Sequence, residues 1–168
     1  MPATRYRLKL ATWTVVRQSG EPSPQDLSEL TSIVALAKDI VATRDDDKEH
    51  LWAIYVNAEK HYQMHTEISF GTLMYTVVHP REVFGPGFRE GASMIILVHN
   101  HPSGDPQPSE NDIVLTKRLG RIGFLIDMPI RDHIIIGNGT GRWDSIVERG
   151  ELFPLPPLFD ERGGYIED

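Results

Sequence analysis

The stretch "ASMIILVHNH", residues 92–101, constrains this chain more than any other. An apolar run with no polar alternation reads as a strand buried on both faces, not one with a wet side. Such a strand needs a packed layer on each side. The rest of the chain supplies them. Leu27, Leu30, Val34, Ala37 and Val41 recur at helical spacing, and Ser23 as N-cap with Pro24 at the first helical position predicts a helix running to about Thr43. Residues 81–91 suggest a short helix despite Pro86 and Gly87, and residues 109–122 another that Gly123 ends. Residues 5–16 read as an opening strand and 44–50 as a charged connector. "LWAIYVNAEK" and "HYQMHTEISF" form a hairpin about an Asn-Ala-Glu-Lys turn, and "FLIDMPIRDHIIIG" gives one more strand or two. Helices alternating with strands around a mostly buried sheet make an α/β or α+β single domain. Its expected core includes Leu51, Ile54, Val56, Ile95, Ile96, Leu97, Leu115 and Leu119.

Composition narrows the chemistry. With no cysteine, disulfides, thiolate metal sites and cysteine nucleophiles are excluded, so any metal is held by nitrogen and oxygen. A formal net charge of −7 argues against broad contact with nucleic-acid phosphates, though not against a local basic groove. No apolar run approaches the roughly 20 residues that span a bilayer, and "MPATRYRLKLATWTVV" lacks a signal peptide's apolar stretch and cleavage site. A cytoplasmic protein without a membrane partner is expected.

His99 and His101 close the apolar run. Side chains two apart on a strand share a face, so both imidazoles can aim at one point where the strand leaves the core. Asp112 lies eleven residues beyond His101, in the first turn of the next helix, after a loop of Pro, Ser, Gly and Asp that can fold back over the strand end. Two nitrogens and one oxygen with a fourth position left for water is the arrangement of a catalytic zinc site. Ser109-Glu110-Asn111-Asp112 is equally a capping box, with an acid three residues after a serine N-cap. A histidine pair at a strand end is by itself no proof of a ligand pair. The joint pattern is more specific than either part. The letters "HNH" do not spread over a ββα unit as that nuclease motif does, and a zinc deaminase would need His-x-Glu and a cysteine pair.

The stretch "HNHPSGDPQPSENDIVLTKRL" resembles the signature of the RadC-like branch of the JAMM (JAB/MPN) metalloprotease superfamily: His-x-His-Pro, six residues, Ser, two residues, Asp. His99, His101, Pro102, Ser109 and Asp112 fall on it without a gap. "FGTLMYTVVHPREVF" and "IRDHIIIG" also resemble that branch, and the similarity covers roughly residues 45–140. The resemblance implies a JAB/MPN-like single domain with a central mixed sheet flanked by helices, in a cytidine-deaminase-like architecture. Residues 1–45 are then a strand and helix packed on the core, 46–148 the catalytic core, and 149–168 a Pro-rich tail.

The resemblance also assigns roles. One Zn²⁺ per chain is held by His99, His101 and Asp112. A catalytic Glu just before the hairpin falls at Glu49, with Glu59 and Glu67 as weaker candidates, and Ser109 donates to the oxyanion. Asp132 and His133 match the branch's "DHIIIG" and are candidates to orient a ligand from behind, although a plain strand start explains them as well. Asn100 points away from the ligands by alternation, while Pro102 and Gly104 shape the loop. His79 is expected to cap or pack the following helix, and His61 and His65 to lie exposed. The leading expectation is a metallopeptidase or isopeptidase acting on a protein or peptide. The alternatives are a DNA-repair-associated or partner-binding module whose metal site is structural or vestigial, and a metal-dependent phosphodiesterase. Two-metal nucleases need more ligands than one such set provides. Longer members carry an N-terminal helix-hairpin-helix domain for DNA; about 45 residues precede the core here without that motif, so DNA binding is the weaker expectation. The sequence leaves the native metal and the oligomeric state, a homodimer included, open.

Overall fold

The computed structural model describes residues 25–44, 47–71 and 78–152. In chain order the elements are α1 (Leu30–Val41), β1 (Glu49–Val56), β2 (Tyr62–Gly71), α2 (Pro80–Glu90), β3 (Met94–His101), α3 (Glu110–Leu125), β4 (Ile130–Gly137) and β5 (Trp143–Ser145). They build a mixed sheet in the order β2-β1-β3-β4-β5. β3 and β4 run parallel, and every other neighbouring pair is antiparallel. This is the α+β arrangement of a mixed sheet flanked by helices.

The apolar run became the middle strand because both of its faces are covered. Ile96 and Val98 pack with Trp52, Ile54 and Val56 of β1 against Ile33, Ala37, Ile40 and Val41 of α1. Ile95 and Leu97 pack on the other face with Leu51, Ala53 and Tyr55, beneath Val83 and Phe84 of α2 and Leu119 of α3. Strand parity assigns the faces: even-numbered residues of β1 and β3 meet α1, and odd-numbered ones meet α2 and α3. Each fully buried Ile or Leu in these layers contributes roughly 1.5–3 kcal/mol. Leu115 is only partly buried, at the margin of the second layer.

The hairpin turns as expected. Asn57 Oδ1 accepts from the backbone N–H groups of Glu59 at 3.0 Å and His61 at 2.9 Å, and Lys60 takes the left-handed conformation with φ 64°. Glu49 and His50, expected in the connector, are the first residues of β1.

Three boundaries differ from the sequence pattern. Ser23 and Pro24 lie outside the described residues, and α1 starts at Leu30 after Glu29 as N-cap. Before it, Gln25 to Leu27 run extended along the hairpin: Asp26 bridges His61, Leu27 N–H donates to Lys60 O at 2.8 Å and Tyr62 N–H to Gln25 O at 2.9 Å. Pairing with the open edge thus takes residues whose spacing suits a helix. Gly123 does not end α3, which continues to Leu125 and moves the start of β4 to Ile130. A Cβ at Gly123 would lie 2.6 Å from the Met128 carbonyl oxygen. The glycine marks a close backbone approach, not a stop. His79 is the N-cap of α2 but makes no side-chain cap bond. The opening strand expected over 5–16 and the tail from residue 153 lie outside the described residues. No helix among the described residues is long and apolar enough to cross a membrane.

Candidate metal centre

His99 and His101 sit at the C-terminal end of β3, on the odd-numbered face that α3 covers. The loop between β3 and α3 folds back tightly. Gly104, at φ 79°, leads it, and its carbonyl accepts from Arg142 Nη2 at 2.9 Å. The Asn138 N–H meets the His101 carbonyl at 3.1 Å. These bonds bring the first turn of α3 over the strand end.

Asp112 therefore meets both imidazoles. His99 Nδ1 lies 3.1 Å from Asp112 Oδ1, and His101 Nε2 lies 3.5 Å from Asp112 Oδ2. The two rings stand nearly perpendicular, at 89° with centroids 4.7 Å apart. One candidate ligand atom from each of the three residues lies within 4.8 Å of the others, so the group can hold a metal ion. His99 and Asp112 are buried and His101 partly so.

Proton placement suits a cation. His101 Nδ1 lies 2.7 Å from the Asp105 carbonyl, which can only accept, so Nδ1 keeps its proton and Nε2, turned to Asp112, is the nitrogen that can release its proton and take up a cation. Both ring nitrogens of His99 are buried without a hydrogen-bond partner; the 3.1 Å approach to Asp112 is out of line for one. A buried polar atom left this way calls for an ion or water. Burial pushes the Asp112 carboxyl up, but His101, His99 and the Ser109 hydroxyl more than offset it and hold it well below the usual carboxylate range. Burial pushes His101 down, and the Asp112 contact and Asp105 carbonyl outweigh it, leaving the ring above its ordinary value; the Glu49 carboxylate adds to that rise.

Asp112 is also the cap residue that its spacing suggested. Its Oδ2 accepts from the Ser109 N–H at 2.8 Å, and its own N–H donates to Ser109 Oγ at 3.2 Å. This is a complete capping box. The two roles coexist because Oδ1 is left to face His99, while Oδ2 takes the cap bonds and still lies 3.5 Å from His101 Nε2. Ser109 Oγ–H donates to Asp112 Oδ2 at 2.6 Å, so in this arrangement its proton goes to the ligand and not outward.

Glu49 opens β1. Leu51 pairs with His99, and Glu49, two residues earlier on β1, shares its face of the sheet with Leu51 and both histidines. Its field on His101 agrees with that placement. Glu59 is exposed in the hairpin turn beside His61, and Glu67 is bound to His50 Nδ1 at 2.5 Å and Arg44 Nη2 at 2.8 Å. Neither reaches the centre. His65 is exposed and His61 half-buried.

His133 and Asp132 part company. The His133 ring is fully buried and stacks on His99, with centroids 6.0 Å apart. Its Nδ1 lies 2.6 Å from Thr116 Oγ1, which donates its one proton to the Asp112 carbonyl at 2.5 Å. His133 Nδ1–H is therefore the donor to Thr116. Asp132 turns to the other face, where it accepts from Ser145 Oγ at 2.8 Å and the His133 N–H at 2.7 Å. It fastens β4 to β5 and touches neither ligand. Sequence reasoning missed Thr116 and the Asp105 carbonyl. Thr116 carried a signal, four residues after Asp112 on one helix face; the carbonyl carried none.

The family model for the RadC-like JAB domain matches residues 21–151. The chain belongs to the RadC-like JAB family. Among relatives of this family, a UPF0758 protein of Desulforamulus reducens is 49% identical over 107 residues, which cover 64% of this chain and 46% of that protein. A UPF0758 protein of Geobacter sulfurreducens is 44% identical over 66% of this chain and 48% of its own length. One of Shouchella clausii is 40% identical over 76% of this chain and 51% of its own. The chain thus spans about half the length of the curated RadC-like relatives it matches.

Proposed function

We propose that this RadC-like JAB domain is a zinc-dependent hydrolase that cleaves a peptide or isopeptide bond. One observation carries the reading: two imidazoles and a carboxylate converge, with His99 left unsatisfied among them and Glu49 on the same sheet face, near enough for its charge to act on His101. Nitrogen and oxygen donors in a set of three suit zinc in a hydrolytic site, with Zn–N distances of about 2.0–2.1 Å. His99, His101 and Asp112 would hold the ion, which when bound lowers the pKa of a water towards neutrality and polarises a substrate carbonyl.

The chain's own residues do the rest. Glu49 takes the proton from the attacking water and returns it to the leaving amine, as general base and then acid. The Asp105 carbonyl keeps His101 in the tautomer that offers Nε2. Ser109, turned from Asp112 about its Cα–Cβ bond, donates to the oxyanion; losing one such donor typically costs about 10²–10³ in rate. The substrate and partners of the longer relatives' other half are outside this reading.

The test compares variants on a panel of isopeptide-linked and short peptide substrates, alongside metal analysis of protein purified without added ions. Glu49→Gln is expected to keep zinc and lose hydrolysis, and His99→Ala to lose zinc. Undiminished turnover in Glu49→Gln removes Glu49 from the mechanism. A chelator-insensitive, salt-dependent shift of DNA with no hydrolysis favours an accessory DNA module instead.

A further inference from the structure

Asn100 stands between the two imidazole-bearing residues, and strand alternation turns its side chain to the opposite face. It is 1% exposed. Backbone pairing of β1 with β3 runs from Val56 opposite Met94 to Leu51 opposite His99. Beyond that pair the Asn100 amide takes over. Its Oδ1 accepts the His50 N–H at 2.7 Å, and its Nδ2 donates to the Lys48 carbonyl at 2.9 Å. An N–H only donates and a carbonyl only accepts, so both ends of the amide are assigned. The two backbone groups it holds flank Glu49. His50 is anchored a second time, its ring stacked on Trp52 at 5.2 Å and 15° and its Nδ1 against Glu67.

We propose that Asn100 is a positioning residue, whose amide clamps the backbone on both sides of Glu49 and so sets where that carboxylate stands relative to His99 and His101. The inference rests on Glu49 being the general base. Asn is the residue type the place demands. Asp offers no donor to the Lys48 carbonyl, Leu offers neither group, and Gln is one methylene too long for the same reach. The clamp grows from the same strand segment as the two histidines, which ties base and ligands into one rigid unit. A misplacement of about 1 Å at such a site costs about 10²-fold in rate.

The test uses the full chain loaded with cobalt(II), whose visible bands report the ion's surroundings, followed across pH. Asn100→Ala is expected to bind cobalt with the parent's stoichiometry, yet shift the spectral pH profile in the direction of Glu49→Gln. The double variant should move no farther than Glu49→Gln alone. Asn100→Asp, which keeps the acceptor and loses the donor, should fall between parent and Asn100→Ala, and it carries the comparison if Asn100→Ala does not fold. Two outcomes overturn the inference while sparing the reading of Glu49. Either Glu49→Gln moves the profile and the Asn100 variants leave it at the parent's, or the Asn100 variants lose cobalt, which makes Asn100 a support for the ligands. If Glu49→Gln itself moves nothing, the reading of Glu49 falls and the clamp falls with it.

Discussion

Replacing His133 with asparagine should flatten the acid side of the stability curve. The His133 ring is fully buried, and burial, with the charge that His99 can carry beside it, pushes its pKa down to about 3. In the unfolded chain a histidine titrates near 6.5. Between those values the unfolded chain holds a proton that the folded one does not, so stability falls as pH falls. The sign is that of a depressed folded pKa: the contribution is whole above about 6.5 and is lost on the way down to about 3. At about 1.4 kcal/mol per unit once the unfolded histidine is mostly protonated, the parent should lose about 2 kcal/mol through this group between about pH 6.5 and 4.5. Asparagine does not titrate, and its amide can donate to Thr116 Oγ1 as His133 Nδ1–H does at 2.6 Å. Asp132, raised by burial, and His65, lowered by burial, also change stability near this window, but parent and variant share them, so they drop out of the difference. His101, raised above its ordinary value, gains stability as pH falls and has finished by about 6.5, while Asp112, held low, acts only below about pH 4. Urea unfolding of metal-free protein at about pH 7, 5.5 and 4.5 measures the difference. If parent and variant lose stability in parallel over that range, the buried neutral ring is not the cause and the reasoning fails.

Gly123→Ala should cost about 1–3 kcal/mol, seen as a lower thermal midpoint, because its Cβ meets the Met128 carbonyl oxygen at 2.6 Å and backbone has to move. Ser145→Ala strips buried Asp132 of a donor at 2.8 Å and should cost about 1–3 kcal/mol while zinc stoichiometry holds; lost zinc in that variant would give Asp132 a role at the centre after all. Ser109→Ala should cost about 1 kcal/mol through the lost cap, read by denaturant melts of the metal-free protein. Zinc at about 100 times its dissociation constant should raise the parent's stability by about 2.7 kcal/mol and leave His99→Ala where it was; equal gains in both would place the ion elsewhere.

Local rules read correctly wherever one element settled the matter. The period of two put His99 and His101 on one face, and the serine-to-acid spacing found the capping box at Asp112. Capping box and ligand looked like rival readings of Asp112 in one dimension. In three they are compatible, since Oδ1 is left for His99 and Oδ2 serves the cap while still facing His101. At Gly123 and the start of α1 a crossing backbone and a partner strand override spacing that suits a helix stop and a helix start. Asp132 and His133 are adjacent in sequence and invite one shared role, yet alternation sends them to opposite faces.

The amino-acid order alone determined that a doubly buried strand would end in two imidazoles pointing one way, because apolar runs and alternation act over a few residues. It also set the helix cap that carries the carboxylate. Only the folded chain decided that Glu49 would share the histidines' sheet face within electrostatic reach of His101, that the Asp105 carbonyl would hold the Nδ1 proton of His101, and that Asn100 would reach across to the backbone flanking Glu49. Those contacts join residues brought together by strand register and by a loop folding back, and register is a property of the whole sheet.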